Sequence, residues 1–279
     1  MSTATSVTTS TDLGTLALGP LVFSTHVLLV LLAILLATGV AGWFHRRRGV
    51  DAGPLVWKMI IAGFVCARLV FVLKHRDIYA AAPWTAFDIR DGGFEPALGL
   101  VAACVIGAEV ARRSDALRRP LLASVLAGLA LWGGGTLALQ AMAPAHAPLP
   151  DVTVRQLDGT EIALARFAGK PLVVNLWATW CPPCRREMPA LHAAQAANPD
   201  IAFVFVNQRE SADTVRRFLA GQGLRLQNVV TDPAGRLATA TGSAAYPTTL
   251  FYDGAGRLVL RHAGELSAAT LRDKLERIR

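Results

Sequence analysis

Four long apolar segments occupy the first half of this 279-residue chain and restrict what it can fold into. They are Leu21 to Phe44, Leu55 to Leu73, Pro96 to Val110, and Leu121 to Met142. A helix that crosses a bilayer needs about 20 mostly apolar residues, and each segment comes close to that length. The third is the weakest because it is short and contains Glu109, so a re-entrant segment is the alternative there. The sequence therefore predicts an all-α polytopic membrane domain of about four helices.

The distribution of charge argues for a membrane protein and against a nucleic-acid-binding protein. Lys and Arg outnumber Asp and Glu by 12 to 8 before residue 150 and by 16 to 12 after it, so neither half is strongly basic. No basic stripe with interleaved aromatic residues is present, and we expect no nucleic-acid partner. Seven arginines instead form two clusters between apolar segments: Arg46, Arg47, Arg48 and Arg112, Arg113, Arg118, Arg119. Such clusters face the cytoplasm, which places both termini on the outer side of the membrane.

The composition changes near residue 145, where the apolar runs give way to the mixture of a soluble domain. The first twenty residues carry one charge, Asp12, and lack the basic region of a cleaved signal peptide, so the first helix should stay as an anchor. We predict an extracytoplasmic tail at residues 1–20, a four-span membrane domain at 21–142, a linker at 143–150 and a soluble domain at 151–279.

Strands and helices alternate along the soluble half. The sequence predicts buried strands at Leu172 to Trp177 and Ile201 to Val206, and a helix between them at Cys181 to Ala197. Further predicted elements are helices at Ala212 to Leu219 and Arg236 to Thr241, a hairpin of Thr249 to Tyr252 with Leu258 to Arg261, and a closing helix at Ser267 to Ile278. A central mixed sheet flanked by helices is the economical α/β arrangement.

Two cysteines separated by two residues, Cys181 and Cys184, follow the first buried strand and open the next helix. Unpaired amides and the positive end of the helix dipole favour the thiolate of Cys181, while Cys184 lies one turn further in. Cys181 can then attack a disulfide, and Cys184 can release the resulting mixed disulfide. A static disulfide or half a zinc site are the alternatives, although the soluble half contains no second pair of thiols.

Several further motifs of the soluble half accompany the two cysteines. They are Asp158, Gly159, Leu164, Gly169, Lys170, Pro171, Trp180, Glu187, Pro189, Tyr246, Pro247, Thr248 and Thr249. With these motifs, residues from about Leu149 to Arg279 resemble the thioredoxin superfamily, and more closely the TlpA/ResA-type thiol-disulfide oxidoreductases, which include cytochrome c maturation reductases. The resemblance implies a thioredoxin fold with a redox-active dithiol and no other cofactor or metal.

The resemblance also implies roles for four residues near the dithiol. Pro247 corresponds to a cis-proline that faces the dithiol, and the preceding Tyr246 offers its backbone to a bound peptide. Trp180 corresponds to a residue that covers the dithiol. Glu187 corresponds to an acid that tunes the thiols and moves protons, and it lies one turn past Cys184. The alternatives are a turn proline, core packing for the tryptophan and a solvated helix charge for the glutamate.

The membrane half carries a second, partial resemblance. Its residues are Gly63, Ala67, Arg68, Leu69, Val72, Asp91, Gly92, Gly93, Phe94 and Gly99. They resemble part of the prolipoprotein diacylglyceryl transferase family. Glu95 stands where that family has a histidine after the glycine pair, and a later signature is absent, so the resemblance implies a shortened relative without acyl transfer. Arg68 within a predicted span indicates either a functional cation or a side chain that extends to the outer interface.

Cys66 and Cys104 lie in consecutive predicted spans. Each is eight residues from the outer end of its helix, so both should sit at about 12 Å of depth and could face each other. A second dithiol that relays electrons to Cys181 and Cys184 is one hypothesis for this pair. The alternative is that both cysteines are small apolar residues of the helices.

These expectations combine into one functional prediction. The chain is predicted to be a thiol-disulfide oxidoreductase anchored in a bacterial inner membrane, with its soluble domain in the periplasm. Its partners would be exported proteins with disulfides, the lipid bilayer, and a membrane or periplasmic electron donor. Disulfide reduction is the expected direction, and an oxidase or isomerase is the alternative. A copper chaperone using the dithiol with His192 or His262 is a further alternative.

Overall fold

The computed structural model describes residues 15–18, 21–142, 147–243 and 245–279. The chain divides into two compact units. The first spans Thr25–Ala143, and the second spans Pro144–Arg279 together with the N-terminal residues up to Ser24.

The first unit is entirely helical, as the sequence predicts. Its α-helices are α1 (Thr25–Arg48), α2 (Gly53–Lys74), α3 (Arg76–Ala81), α4 (Pro96–Arg113) and α5 (Asp115–Met142), with a 3₁₀ helix at Pro83–Phe87. Helix α1 packs along α5, and α2 packs along α4. A helix therefore covers each of the four predicted spans. Among the described residues, α1, α2 and the Asp115–Leu139 part of α5 are long and apolar enough to cross a membrane, whereas the 18-residue α4 is not among them.

The prediction that the first span begins at Leu21 is wrong. Residues Leu21–Ser24 form strand β2, which pairs antiparallel with β1 (Thr15–Leu18), and the helix begins only at Thr25. The paired ends of the two strands are Leu18 and Leu21. Valine and phenylalanine in β2 favour extended structure, and the apolar run alone could not separate a strand from the start of a helix.

The second unit contains a seven-stranded mixed sheet. Its strands are β3 (Thr153–Gln156), β4 (Glu161–Ala163), β5 (Leu172–Trp177), β6 (Ala202–Gln208), β7 (Val229–Asp232), β8 (Thr248–Tyr252) and β9 (Leu258–Ala263), in the order β4-β3-β7-β6-β5-β8-β9. The helices are α6 (Pro182–Ala197), α7 (Ala212–Gln222), α8 (Arg236–Ala240) and α9 (Ala268–Glu276). Every predicted strand and helix of this half is present, and the short strands β3, β4 and β7 are additional.

The centre of the sheet positions the dithiol. Strand β5 is buried along its whole length, runs parallel to β6 and antiparallel to β8, and leads directly into the loop before α6. One face of the sheet packs Trp177, Phe203 and Phe251 against α6 and α9, and the other face forms a second apolar cluster around Leu176 and Leu250. Because layers on both faces hold β5 in place, the start of α6 has a fixed position at its carboxyl end.

Candidate active site

Cys181 and Cys184 form a disulfide at the start of α6, with 5.3 Å between their Cα atoms. Cys181 is the N-cap residue of the helix, and the backbone amide of Cys184 points at its Sγ from 3.3 Å. Both residues are buried, Cys181 with 3% and Cys184 with 0% of its surface exposed. An amide and the helix dipole directed at Sγ will stabilise the Cys181 thiolate after reduction, and Cys184 is the less accessible of the two.

The loop before β8 lies against the first cysteine. The Tyr246–Pro247 peptide bond is cis, and Cys181 Sγ is 3.5 Å from the Tyr246 carbonyl oxygen. Trp180 is 66% exposed, and its ring centroid is 6.3 Å from that of the half-buried Tyr246. The structure therefore brings Trp180, Tyr246 and Pro247 together around Cys181. The two aromatic rings form a surface beside the sulfur on which a polypeptide can rest.

Glu187 is a buried acid within α6, with only 1% of its surface exposed. Its Oε1 accepts a hydrogen bond from Asn175 Nδ2 at 2.8 Å, and its Oε2 accepts one from the Leu266 amide at 3.0 Å. Burial raises the pKa of Glu187 from 4.5 to about 8, although both hydrogen bonds act to lower it. Glu187 is therefore mostly protonated at neutral pH and can exchange a proton under physiological conditions.

Asn175 links this acid to the sheet. It lies on β5, and its Nδ2 also donates to Thr249 Oγ1 on β8 at 3.0 Å. Its Oδ1 is one of the few buried side-chain oxygen or nitrogen atoms without a partner among the described residues. A neutral amide at this position leaves Glu187 as the carboxyl group buried beneath the dithiol.

Glu210, which is not among the residues predicted from the sequence, holds the loop that carries the dithiol. Its Oε2 accepts hydrogen bonds from the Thr179 amide and from Asn207 Nδ2, both at 2.7 Å, and its Oε1 accepts one from Thr179 Oγ1 at 2.5 Å. Thr179 is two residues before Cys181. Glu210 could have been found from the strand order. Because β5 and β6 are parallel, an acid just after β6 lies beside the loop that follows β5.

In the membrane half, Arg68 pairs with the segment that precedes α4, a contact that neither the functional-cation prediction nor the interface prediction specified. Its side chain is buried, and all five of its N–H groups donate to the segment between α3 and α4. Nη1 pairs with Asp91 Oδ1 at 3.1 Å, and the four carbonyl acceptors belong to Thr85, Ala86, Asp88 and Gly93. The rings of Phe71, Tyr79 and Phe94 lie within 6 Å of the guanidinium group. Arg68 therefore fastens this segment onto α2 and has no donor left for a ligand.

The expectation that Cys66 and Cys104 face each other is also wrong. Both thiols are free. Helices α2 and α4 meet along a seam in which Gly63 approaches Gly99 and Ala103. On α4, Cys104 is the residue after Ala103, which lies in the seam. On α2, Cys66 is the residue before Ala67, which contacts Gly99 across the seam. In an antiparallel pair, one step forward on one helix and one step back on the other turn the side chains to opposite sides of the seam.

The depths of the two cysteines differ as well. Cys66 Sγ is 3.9 Å from the Leu98 carbonyl oxygen, and Cys104 is six residues further along α4. Six residues correspond to about 9 Å of helix, so Cys104 lies well beyond the level at which Cys66 contacts α4. The prediction assumed that Lys74 and Pro96 lie at one level, but the seam shifts the two helices relative to each other.

The described residues contain no group of three or more His, Cys, Asp or Glu side chains that could hold a metal ion. His192 lies two turns beyond Cys184 in α6. His262 has its Nε2 3.3 Å from the Glu265 carbonyl oxygen. A dithiol-plus-histidine copper site is therefore not assembled in this arrangement.

Comparison with known proteins assigns each half to a family. The Redoxin family matches residues 144–275. The thiol:disulfide interchange protein HelX of Rhodobacter capsulatus is 33% identical over 132 residues, which cover 47% of this chain and 67% of HelX. The thioredoxin-like protein YneN of Bacillus subtilis is 32% identical over 131 residues, covering 46% of this chain and 76% of YneN. The chain belongs to the thioredoxin-like thiol-disulfide oxidoreductases. In this oxidoreductase, the Cys181–Cys184 pair is the candidate redox site.

The remaining comparisons concern one more relative, one solved structure and the membrane half of this oxidoreductase. The thiol-disulfide oxidoreductase ResA of Halalkalibacterium halodurans is 30% identical over 128 residues, covering 45% of this chain and 72% of ResA. A thiol:disulfide interchange protein of Chlorobium tepidum has a solved structure with a TM-score of 0.43 and 26% identity, covering 48% of this chain and 97% of that one. The prolipoprotein diacylglyceryl transferase family matches residues 14–143, which confirms that the oxidoreductase domain is fused to a region of that family.

Proposed function

We propose that this protein reduces disulfides of exported proteins from the outer face of a bacterial inner membrane. The observation that carries the proposal is the Cys181–Cys184 pair at the N-terminus of α6, with the Cys184 amide directed at Cys181 Sγ. The relatives HelX and ResA bear names for thiol-disulfide exchange, which supports the same chemistry here.

The exchange proceeds in two balanced steps. The Cys181 thiolate attacks one sulfur of the client disulfide, a mixed disulfide forms, and the other client sulfur leaves as a thiolate that takes up a proton. Cys184 then loses its proton and attacks Cys181 Sγ, which releases the second client thiol and closes the protein disulfide. Two electrons pass from the protein to the client. Glu187 lies one turn after Cys184, and its pKa is raised by burial to about 8, so the ionised fraction of this acid can accept the Cys184 proton at neutral pH.

Topology supports a periplasmic position for the dithiol. The arginine clusters at the end of α1 and between α4 and α5 belong on the cytoplasmic side under the positive-inside rule. An outer position for the soluble unit follows if all four helical segments cross the membrane. The anchor keeps the dithiol near membrane-bound partners and so raises its effective concentration there.

The protein disulfide has to be reduced again by a separate donor. Because Cys66 and Cys104 lie on opposite sides of the α2–α4 seam, they do not supply an internal dithiol. The donor in this proposal is therefore another membrane or periplasmic protein with a reduced dithiol. An oxidase would instead act from its disulfide form and need an oxidant, which makes the resting redox state informative about the direction.

The test is to replace Cys184 by Ser in the full-length protein and to isolate it from cells after rapid thiol blocking. We expect disulfide-linked adducts of exported proteins on Cys181, because the resolving thiol is missing. The variant that also carries Cys181→Ser is the matched control and should carry none. The wild-type dithiol should be mostly reduced in cells; a mostly oxidised dithiol would assign the opposite direction, and an absence of adducts would argue against exchange with clients.

A further inference from the structure

An ion pair on the protein surface involves the residue next to the buried acid Glu187. Arg186 precedes Glu187 in α6, and its Nε and Nη2 both donate to Glu265 Oε2, at 2.9 and 2.6 Å. The Arg186 side chain is 45% exposed, whereas that of Glu265 is only 18% exposed. Two hydrogen bonds to a largely covered carboxylate form a better-defined contact than most surface ion pairs.

The same pair fixes the turn that contacts Glu187. Glu265 lies between β9 and α9, and the next residue, Leu266, donates its amide to Glu187 Oε2 at 3.0 Å. Leu266 is itself buried, and Ser267 caps α9 immediately afterwards. One end of the turn is thus tied to α6 from outside by Arg186 and from inside by Glu187.

We propose that Arg186 and Glu265 are positioning residues for the buried acid. Their ion pair holds the turn between β9 and α9 against α6 and so keeps the Leu266 amide on the Glu187 carboxyl group. Neither residue contacts the reacting sulfurs in this arrangement. The inference rests on the proposed function in one respect, since it assigns a consequence for dithiol chemistry to the protonation of Glu187.

The sign of the effect follows from the groups around Glu187. Among the described residues, Glu265 is the charged group that acts on it through space, and this raises the pKa of Glu187, while the Leu266 hydrogen bond lowers it. The other titratable or charged groups on the surrounding elements α6, β8, β9 and α9 and at their caps are Cys181, Cys184, Arg185, His192, Tyr252, Arg261, His262, Arg272, Asp273, Lys274, Glu276 and Arg277. Removing Arg186 leaves the Glu265 charge uncompensated and loosens the amide contact. While Glu187 stays buried, both of these changes raise its pKa.

The test measures the reactivity of Cys181 against pH in the reduced full-length protein in detergent. Iodoacetamide alkylation is followed by mass spectrometry of the peptide that contains Cys181, which separates it from Cys66 and Cys104. In Arg186→Gln, we expect the inflection due to Glu187 to move to higher pH by about half a unit to one unit. Arg186→Lys keeps the ion pair and should restore most of the wild-type profile.

Two controls separate positioning from a general loss of stability. Arg155→Gln removes the same charge from another exposed ion pair, with Glu161 at 2.9 Å on the β3–β4 hairpin, and should leave the profile unchanged. In a Glu187→Gln background, Arg186→Gln should produce no further shift. A profile of Arg186→Gln that overlays the wild type would overturn the inference and leave the proposed function intact. A wild-type protein that fails to reduce disulfides would instead count against the proposed function, since alkylation can still be measured.

Discussion

Each half of the molecule buries an ionisable side chain, Arg68 in the membrane unit and Glu187 in the soluble unit. The two side chains differ in how fully their charge is compensated by neighbouring groups. In the membrane unit, Arg68 has all five N–H groups paired, one of them with the carboxylate of Asp91. In the soluble unit, Glu187 has two amide donors and, among the residues that the structure describes, no cationic partner. A charge that is fully paired is held as a structural fastening, whereas an acid with incomplete compensation keeps its proton near neutral pH and can exchange it.

The largest effect on stability is expected when Arg68 is replaced by Met. The buried Asp91, which also accepts a hydrogen bond from the Gly93 amide, then loses its cationic partner, and removal of one partner of a buried pair costs about 3–5 kcal/mol. We expect a lower thermal midpoint in detergent and faster proteolysis between α3 and α4. Arg90→Met, in the same segment and exposed, is the control and should change neither. Equal proteolysis of the two variants would show that Arg68 does not fasten the segment.

Glu187→Gln addresses the opposite case through the pH dependence of stability. The pKa of Glu187 is raised from 4.5 to about 8 on folding, so the folded state binds the additional proton between these values. Its contribution is fully present below about pH 4.5 and is lost as the pH rises through about 8. We therefore expect the wild-type unfolding midpoint, followed by tryptophan fluorescence, to fall over this window.

In Glu187→Gln this fall should be reduced, because the variant has no proton to release at that position. Glu161→Gln, an exposed acid on the β3–β4 hairpin, is the matched control and should retain the wild-type slope. An unchanged slope in Glu187→Gln would mean that the buried acid is charged in the folded protein, and the contrast with Arg68 would disappear.

Glu210 sharpens the comparison because it is half-buried and accepts three hydrogen bonds from neutral donors. Glu210→Gln keeps the size of the side chain and replaces one acceptor oxygen by a donor, which opposes either the Thr179 or the Asn207 donor. We expect a loss of about 1–3 kcal/mol in stability and slower client reduction, as the loop before Cys181 loosens. Thr179→Val should reproduce part of the effect, since it removes one of the three bonds. A reduction rate and an unfolding midpoint equal to those of wild type would show that Glu210 does not hold the loop before Cys181.

Much of the site follows from the sequence because its signals are local. The spacing of Cys181 and Cys184 after a buried strand predicted the dithiol at a helix start, and helical periodicity placed Glu187 one turn beyond it. The position of Pro247 beside the dithiol required the family resemblance, because 63 residues separate it from Cys184. Residue types and short spacings were sufficient to place Cys181, Cys184 and Glu187. They were insufficient to place Pro247.

The remaining features depend on contacts between distant segments. Glu210 reaches Thr179 only because β6 runs parallel to β5, and Leu266 reaches Glu187 only because α9 packs on α6. The separation of Cys66 from Cys104 depends on the shift between α2 and α4, which the close approach of Gly63 to Gly99 sets. No spacing along the chain reports such a shift.

The sequence by itself determined a helical membrane half, an α/β soluble half and a dithiol at the N-terminus of a helix, since hydrophobic periodicity and helix geometry act over a few residues. The tertiary structure alone decided that Arg68 is a fastening, that Cys66 and Cys104 stay apart, and that Glu187 is a poised acid. Each of these outcomes depends on burial and on hydrogen-bond partners, which exist only once distant segments are packed together.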